Sequence, residues 1–303
     1  MADKHVNENV PVIVMGTTTK AVYGATESKQ IQNAVRDRLL LASMEPYHKV
    51  QVVVKHKANG KPEAIIAYML RAHTYTADIA RLDVDEQYSV RSVERSYAPE
   101  EEEVEYAITV PPKPLPCPDM VFGTPVPEIA TAKAAVEYAY KLGTSLGYKC
   151  VKLLGPAASV ANYSHYLGTC HLKAFGNVGH GWTGGIVLAD GNLEAPWFDS
   201  RPKNTLCPEV IYFNSCQTFN PPLQPAIMKA GARTFAGGRV NLLIGPSENV
   251  FKCFWTESLK NKQKMGPALA GCEKKNYPTP GSHGISGDLG TFLPIPKCLR
   301  GNE

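Results

Sequence analysis

The stretch from Lys173 to Thr218 constrains this chain most. Its first apolar run, Lys173 to Val178, breaks at Gly179 and delivers His180. Its second, Val210 to Phe213, delivers Asn214, Ser215 and Cys216. Short apolar runs bounded by glycine and polar residues read as buried strands. In an α/β sheet the loops at the carboxyl ends of parallel strands share one edge, and sites form there. The pattern therefore predicts that His180 and Cys216 meet at one sheet edge. Such a pair is the minimum equipment for thiolate chemistry, because the imidazole lowers the thiol pKa and later delivers a proton.

The rest of the chain falls into two parts around a proline-rich tract. Residues 1–110 read as a small N-terminal α/β domain of the α+β type. Val12 to Met15 is a strand, and Ile31, Val35 and Leu39 recur at helical spacing over Glu27 to Met44. Val50 to Val54 and Ala64 to Tyr68 flank Asn59-Gly60, a strong hairpin signal. Tyr75 to Leu82 reads as a second helix; Tyr88 to Tyr97 and Val104 to Val110 read as strands. Nothing here gathers catalytic residue types, and His48, His56 and His73 read as structural or exposed. Residues 111–118, five of them proline, form an extended linker, since proline fixes φ and lacks the amide donor. Residues 119–303 then alternate strand and helix: Met120 to Phe122, a helix over Ile129 to Leu146, Lys149 to Leu154, Ser159 to Leu167, His171 to Val178. After a hairpin at Asp190-Gly191 the alternation resumes with Glu209 to Phe213, Leu223 to Ala230 and Arg233 to Ala236. Ser247 is placed to cap a last apolar helix. The order argues for a mostly parallel sheet with helices on both faces.

Composition excludes several classes. A net charge of +4 without a long basic run gives no footing for nucleic-acid binding. No apolar stretch is long enough to span a membrane. The N-terminus is polar and lacks an apolar signal core, so the chain is expected to be cytoplasmic. The eight cysteines contain no C-x-x-C pair, so no zinc site is expected; without a leader most are expected reduced and several buried as small hydrophobes. Neither a metal nor another cofactor is called for, and Gly123-Thr124-Pro125 is not a phosphate loop.

Cys216 is the sharpest candidate, because it follows the most apolar strand in a polar tripeptide. His180 lies between two glycines, which let the backbone approach a ligand closely. The backbone N–H groups of Gly181 and Cys216 are candidate donors to a developing oxyanion.

Several segments over 119–290 resemble the caspase-like fold of clan CD cysteine peptidases, and are similar to its gingipain-like and CHAT-like branches. They are Phe175 to Gly181 (FGNVGHG), Val210 to Cys216 (VIYFNSC), Ala230 to Gly238, Gly266 to Ala270 and Gly284 to Asp288. The order strand–His-Gly, hairpin, strand–Cys, helix, strand is that family's order. The resemblance implies a caspase-like, mostly parallel sheet flanked by helices. It also implies a Cys216–His180 dyad with an oxyanion donor at Gly181. Many members follow the cysteine with x-Gly, where this chain has Gln217-Thr218. The residue two before the cysteine often selects the P1 side chain and is acidic in branches that cut after Arg or Lys; here it is the neutral Asn214. Asp288 is a second candidate for substrate contact.

These readings give a cysteine endopeptidase acting on polypeptides through its dyad. The alternative is a catalytically silent caspase-fold interaction module; a third reading places the function in the N-terminal domain as a binding unit. As an enzyme, the chain is expected to carry residues 1–110 as a zymogen-like prodomain, making an intramolecular contact near Cys216.

Overall fold

Alternation with period two builds the first of two compact units, Met1–Thr109 and Val110–Glu303. The computed structural model describes residues 7–15, 23–43, 45–96, 117–169, 172–203, 205–206 and 208–290. In the first unit β1 (Val12–Val14) pairs in parallel with β2 (Tyr47–His56). Antiparallel β3 (Pro62–Arg71), β4 (Ala77–Val84) and β5 (Val90–Ser96) complete a five-stranded sheet. One face presents Val50, Val52, Val54, Ile65, Ala67, Met69, Ala80 and Leu82. Against it packs the stripe Ile31, Val35, Leu39 of α1 (Ala25–Val35), which continues as one wider turn, Arg36–Leu40. The expected helix over 75–82 is instead β4. Ala80, Leu82 and Val84 share one side and Arg81 and Asp83 the other, where they pair at 2.9 Å. That alternation suits a strand between two neighbours. The expected strand at 104–110 and linker residues 111–116 lie outside the described residues.

The second unit is a doubly covered sheet. Its strands are β6 (Met120–Thr124), β7 (Cys150–Leu154), β8 (Ala174–Val178), β12 (Val210–Asn214), β13 (Thr234–Gly238) and β14 (His283–Gly287). Between β8 and β12 a small side sheet forms from β9 (Gly181–Trp182), β10 (Gly185–Val187) and β11 (Asn192–Glu194). The helices are α2 (Ala130–Ser145), α3 (Val160–Thr169), α4 (Ala195–Asp199), α5 (Leu223–Ala230), α6 (Pro246–Trp255) and α7 (Met265–Asn276). Main-sheet order is β14-β13-β12-β8-β6-β7, with all neighbours parallel except β14, which runs antiparallel to β13. The unit is thus mixed α/β with helices flanking the sheet, as the alternation predicts.

Each face carries its own core. Val121, Phe175, Ile211, Phe213 and Phe235 point to the side holding Tyr163, Tyr166, Phe198, Leu223 and Ile227 of α3, α4 and α5. Tyr212 points the other way, against Phe251, Phe254 and Trp255 of α6. Gly176 makes this second packing possible. A Cβ there would stand 2.9 Å from both the Phe122 and Phe251 rings, closer than carbon atoms approach. Ser247 is not the cap of α6: Gly245 is, with its N–H bonded to the Glu248 carboxylate three residues on. Glu248 also accepts from Thr131 of α2 at 2.6 Å, tying the two helices together.

The expectation of mostly reduced cysteines is corrected. Cys253 of α6 and Cys272 of α7 form a disulfide, and Cys117 is disulfide-bonded; among the described residues Cys150 and Cys216 are not in a disulfide. Such bonds persist in oxidising compartments and are rare in the cytosol, so the cysteines give the cytoplasmic expectation no support. Among the described residues no helix is long and apolar enough to cross a membrane.

Candidate active site

Register decides which residues meet. β8 and β12 are parallel neighbours, with Phe213 opposite Asn177 and Asn214 opposite Val178. Each strand then runs two residues past this pair, to His180 and to Cys216. Both stand at the same edge of the sheet, on adjacent strands, as their position after the two apolar runs predicts. Main-chain contact clasps the two turns together. Gly179 N–H donates to the Asn214 carbonyl, and a Cβ on Gly181 would lie 2.9 Å from Ser215 Cβ and 3.0 Å from the Gly185 carbonyl oxygen. Only glycine lets the His180 turn lie this close to the Cys216 turn.

Two buried polar groups bracket the cysteine, one per face of the sheet. Toward α3, Tyr163 O–H donates to Asn177 Oδ1 at 2.7 Å, and Asn177 Nδ2–H donates to Ser215 Oγ at 3.2 Å. Burial drives the Tyr163 phenol well above its usual range, so it stays a donor. Toward α7, His283 Nε2 lies 3.3 Å from Asn214 Oδ1 and its Nδ1 lies 3.2 Å from Glu273 Oε1. Burial pushes the Glu273 carboxyl up, but bonds from the His283 ring and from the N–H groups of His283 and Gly281 outweigh it and hold it below the ordinary range.

Cys216 and His180 are both fully buried. The segment between β13 and α6 covers the sulfur: Leu242 N–H donates to Cys216 Sγ at 3.0 Å, and the Leu242 side chain is itself buried. The next amide, Leu243 N–H, donates to Tyr277 Oη at 2.8 Å. Gln217 N–H donates to the Val240 carbonyl, and Gln217 Nε2–H to Asn241 Oδ1. Gln217 holds φ at +58°, a left-handed conformation that costs a non-glycine residue about 1–2 kcal/mol. Strain of this kind collects where a neighbouring side chain must be aimed.

Of the residues singled out in the sequence, His180, Gly181, Asn214 and Cys216 are brought together. Asp288 is not. β14 runs antiparallel, so its end, not its start, reaches the opposite edge; there Asp288 pairs with Arg233 at 3.0 Å. We therefore give Asp288 no part in the site. Asp190, read as a turn, accepts the Val160 N–H at 2.7 Å and so holds the start of α3. The groups that sequence reasoning missed are Asn177, Leu242, Glu273, Tyr277 and His283. Among the described residues no cluster of side chains is arranged to hold a metal ion.

No protein-family model matches the chain, and no curated protein matches it. Among solved structures the chain is similar to gingipain R (RgpB), an Arg-specific cysteine proteinase, at 14% identity and a TM-score of 0.46. The likeness covers 57% of this chain and 46% of that one, so the chain spans about half the length of that structure.

Proposed function

We propose that the second unit is a cysteine endopeptidase. The observation that supports this reading is the β8–β12 register, which carries His180 and Cys216 to one edge with Gly181 packed on Ser215. In the proposed reaction the Cys216 thiolate attacks the scissile carbonyl and a C–S bond forms. The oxyanion takes hydrogen bonds from the Gly181 and Cys216 N–H groups, each such donor worth about 2.7–4 kcal/mol in a protease. As the C–N bond breaks, His180 gives its proton to the leaving amine. His180 then takes a proton from water, which attacks the thioester and releases the carboxylic acid and the thiol. Asn214, two residues before the nucleophile, faces the substrate side chain. Because Cys216 and His180 are fully buried, substrate enters only when the segment around Leu242 lifts.

That same burial favours a second reading, a caspase-fold interaction module without turnover. One experiment separates them. A peptide carrying an irreversible thiol-directed warhead should label Cys216, found by peptide mapping, and a fluorogenic peptide panel should be cleaved. A silent module gives neither signal, and labelling that survives His180→Ala at full rate would remove the dyad.

A further inference from the structure

One buried side chain beside the nucleophile takes no part in the proposed reaction. Thr218 is fully buried. Its hydroxyl hydrogen reaches two main-chain acceptors, the Phe213 carbonyl at 3.1 Å and the Ser215 carbonyl at 3.0 Å. Oγ1 also accepts the Gly238 N–H at 3.3 Å. The following amide, Phe219 N–H, donates to the Gly238 carbonyl at 2.8 Å. The hydroxyl therefore ties the turn that carries Cys216 back to the end of β12 and across to the end of β13. Gln217, inside that turn, holds φ at +58°. A residue in such a conformation stays there only where its surroundings over-determine it, and the Thr218 hydroxyl is one of the groups that do so.

The other branch of the side chain faces the histidine turn. A Cβ on Gly181 would stand 3.0 Å from Thr218 Cγ2, and one on Gly237 would stand 2.6 Å from Thr218 Oγ1. Glycine at both positions leaves a space that Thr218 fills. Its methyl lies beside Gly181, whose N–H is the proposed oxyanion donor, while its hydroxyl holds the cysteine turn. Branching at Cβ fixes the two groups relative to each other, because threonine has few χ1 choices. One residue thus sets the spacing of the two turns whose groups must act together.

We infer that Thr218 is a positioning residue: its hydroxyl fixes the turn that presents Cys216, and its methyl holds the Gly181 turn at its distance from that turn. The inference rests on the cysteine peptidase reading. It needs no contact between Thr218 and substrate, so the loss of Thr218 should appear in kcat rather than in KM. A misplacement of about 1 Å at a reacting centre costs about 10²-fold.

The test uses the full chain, fluorogenic peptides and substitutions that separate the two branches. Thr218→Val replaces the hydroxyl by a methyl and keeps the shape. Thr218→Ala removes both branches, and Thr218→Ser keeps the hydroxyl alone. Each variant is assayed well below its own unfolding temperature, with its fold checked by circular dichroism. The Val and Ala variants are expected to lower kcat by about 10²-fold, with KM within about twofold of the parent. The Ser variant should regain at least about tenfold of that loss, the remainder being the share of the methyl. Should the Val variant fail to fold, the Ala variant, which puts no carbon where the hydroxyl stood, carries the comparison with Ser. A purely structural threonine predicts a different result, in which each variant loses stability but turns over normally once folded. A kcat within about threefold of the parent in the folded Val or Ala variant overturns the inference. So does a Ser variant no faster than Ala. Both outcomes leave the peptidase reading standing. Absence of cleavage in the parent chain, with no warhead labelling of Cys216, is the separate outcome in which the peptidase reading fails and this inference fails with it.

Discussion

The two ends of the six-stranded sheet are built from different chemistry. At the carboxyl end of the parallel strands, Asn177, His180, Asn214, Ser215 and Cys216 are all without measurable exposure, and His283 is 5% exposed. At the amino end stand ion pairs that reach solvent: Lys173 pairs with Asp119, and exposed Arg233 bridges exposed Asp288 and the buried Glu209. Exposed pairs contribute little, about 0–1 kcal/mol each. Buried polar side chains are costly unless each finds a partner, so a chain that collects them at one end has a use for that end. The contrast supports placing the proposed site at that end of the sheet. Polar side chains exposed at both ends would have left His180 and Cys216 as an ordinary pair of loop residues.

The largest effect that tests this contrast is at the nucleophile. Cys216→Ala should lower cleavage by about 10⁶-fold, as loss of a catalytic nucleophile does elsewhere, with an unchanged circular dichroism spectrum. Next comes Gly181→Ala. Its Cβ meets main-chain oxygen as well as a side chain, so the two turns must part. A displacement of that order costs about 10²-fold in kcat/KM. An alanine variant with parent kinetics would show that the clasp between the turns is immaterial. Asn177→Ala leaves Tyr163 O–H and Ser215 Oγ without their partner, and should cost about 1–3 kcal/mol in urea unfolding.

Acid sensitivity gives a smaller, pH-resolved signal. The folded-state pKa of Glu273 is lowered, so its contribution is present above the unfolded carboxylate pKa and is lost as pH falls through the folded value. The stability gap between the parent and Glu273→Gln should therefore be widest at neutral pH and close as the carboxylate protonates. A gap constant from pH 7 to pH 3 would refute the assignment. Smallest of all is Asp288→Ala at the other end, expected within about 1 kcal/mol in stability and without effect on kcat/KM. A loss of activity there would dissolve the difference between the two ends.

Much of this architecture is legible in the sequence, and the parts that are not share physical causes. His180 and Cys216 can be read because each ends an apolar run, and parallel strands bring like ends together. Asp288 misleads for the same reason inverted. In an antiparallel strand it is the first residue that reaches the carboxyl edge, so the residue to notice is His283, which like His180 has a glycine immediately after it. A direction of pairing is a long-range fact, and no local pattern carries it. β4 reads as a helix because Tyr75, Ile79 and Leu82 satisfy a helical spacing while Ala80, Leu82 and Val84 satisfy a strand's, and the sheet on both sides decides. Leu242 covers the sulfur through its backbone amide, a group every non-proline residue has, so no side-chain signal marks it.

The Cys253–Cys272 bond gives the chain two redox demands of opposite sign. As the proposed nucleophile Cys216 needs to be a thiol, whereas the tie between α6 and α7 exists only as a disulfide. Cys272 adjoins Glu273, so opening that tie loosens the helix from which His283 is held. Closing a loop of this size contributes about 3 kcal/mol. Excess dithiol, which rescues an oxidised nucleophile, attacks the helix tie by the same exchange chemistry. Turnover plotted against reductant should rise, pass a maximum and fall, with the falling limb absent in a chain whose two helices stay joined.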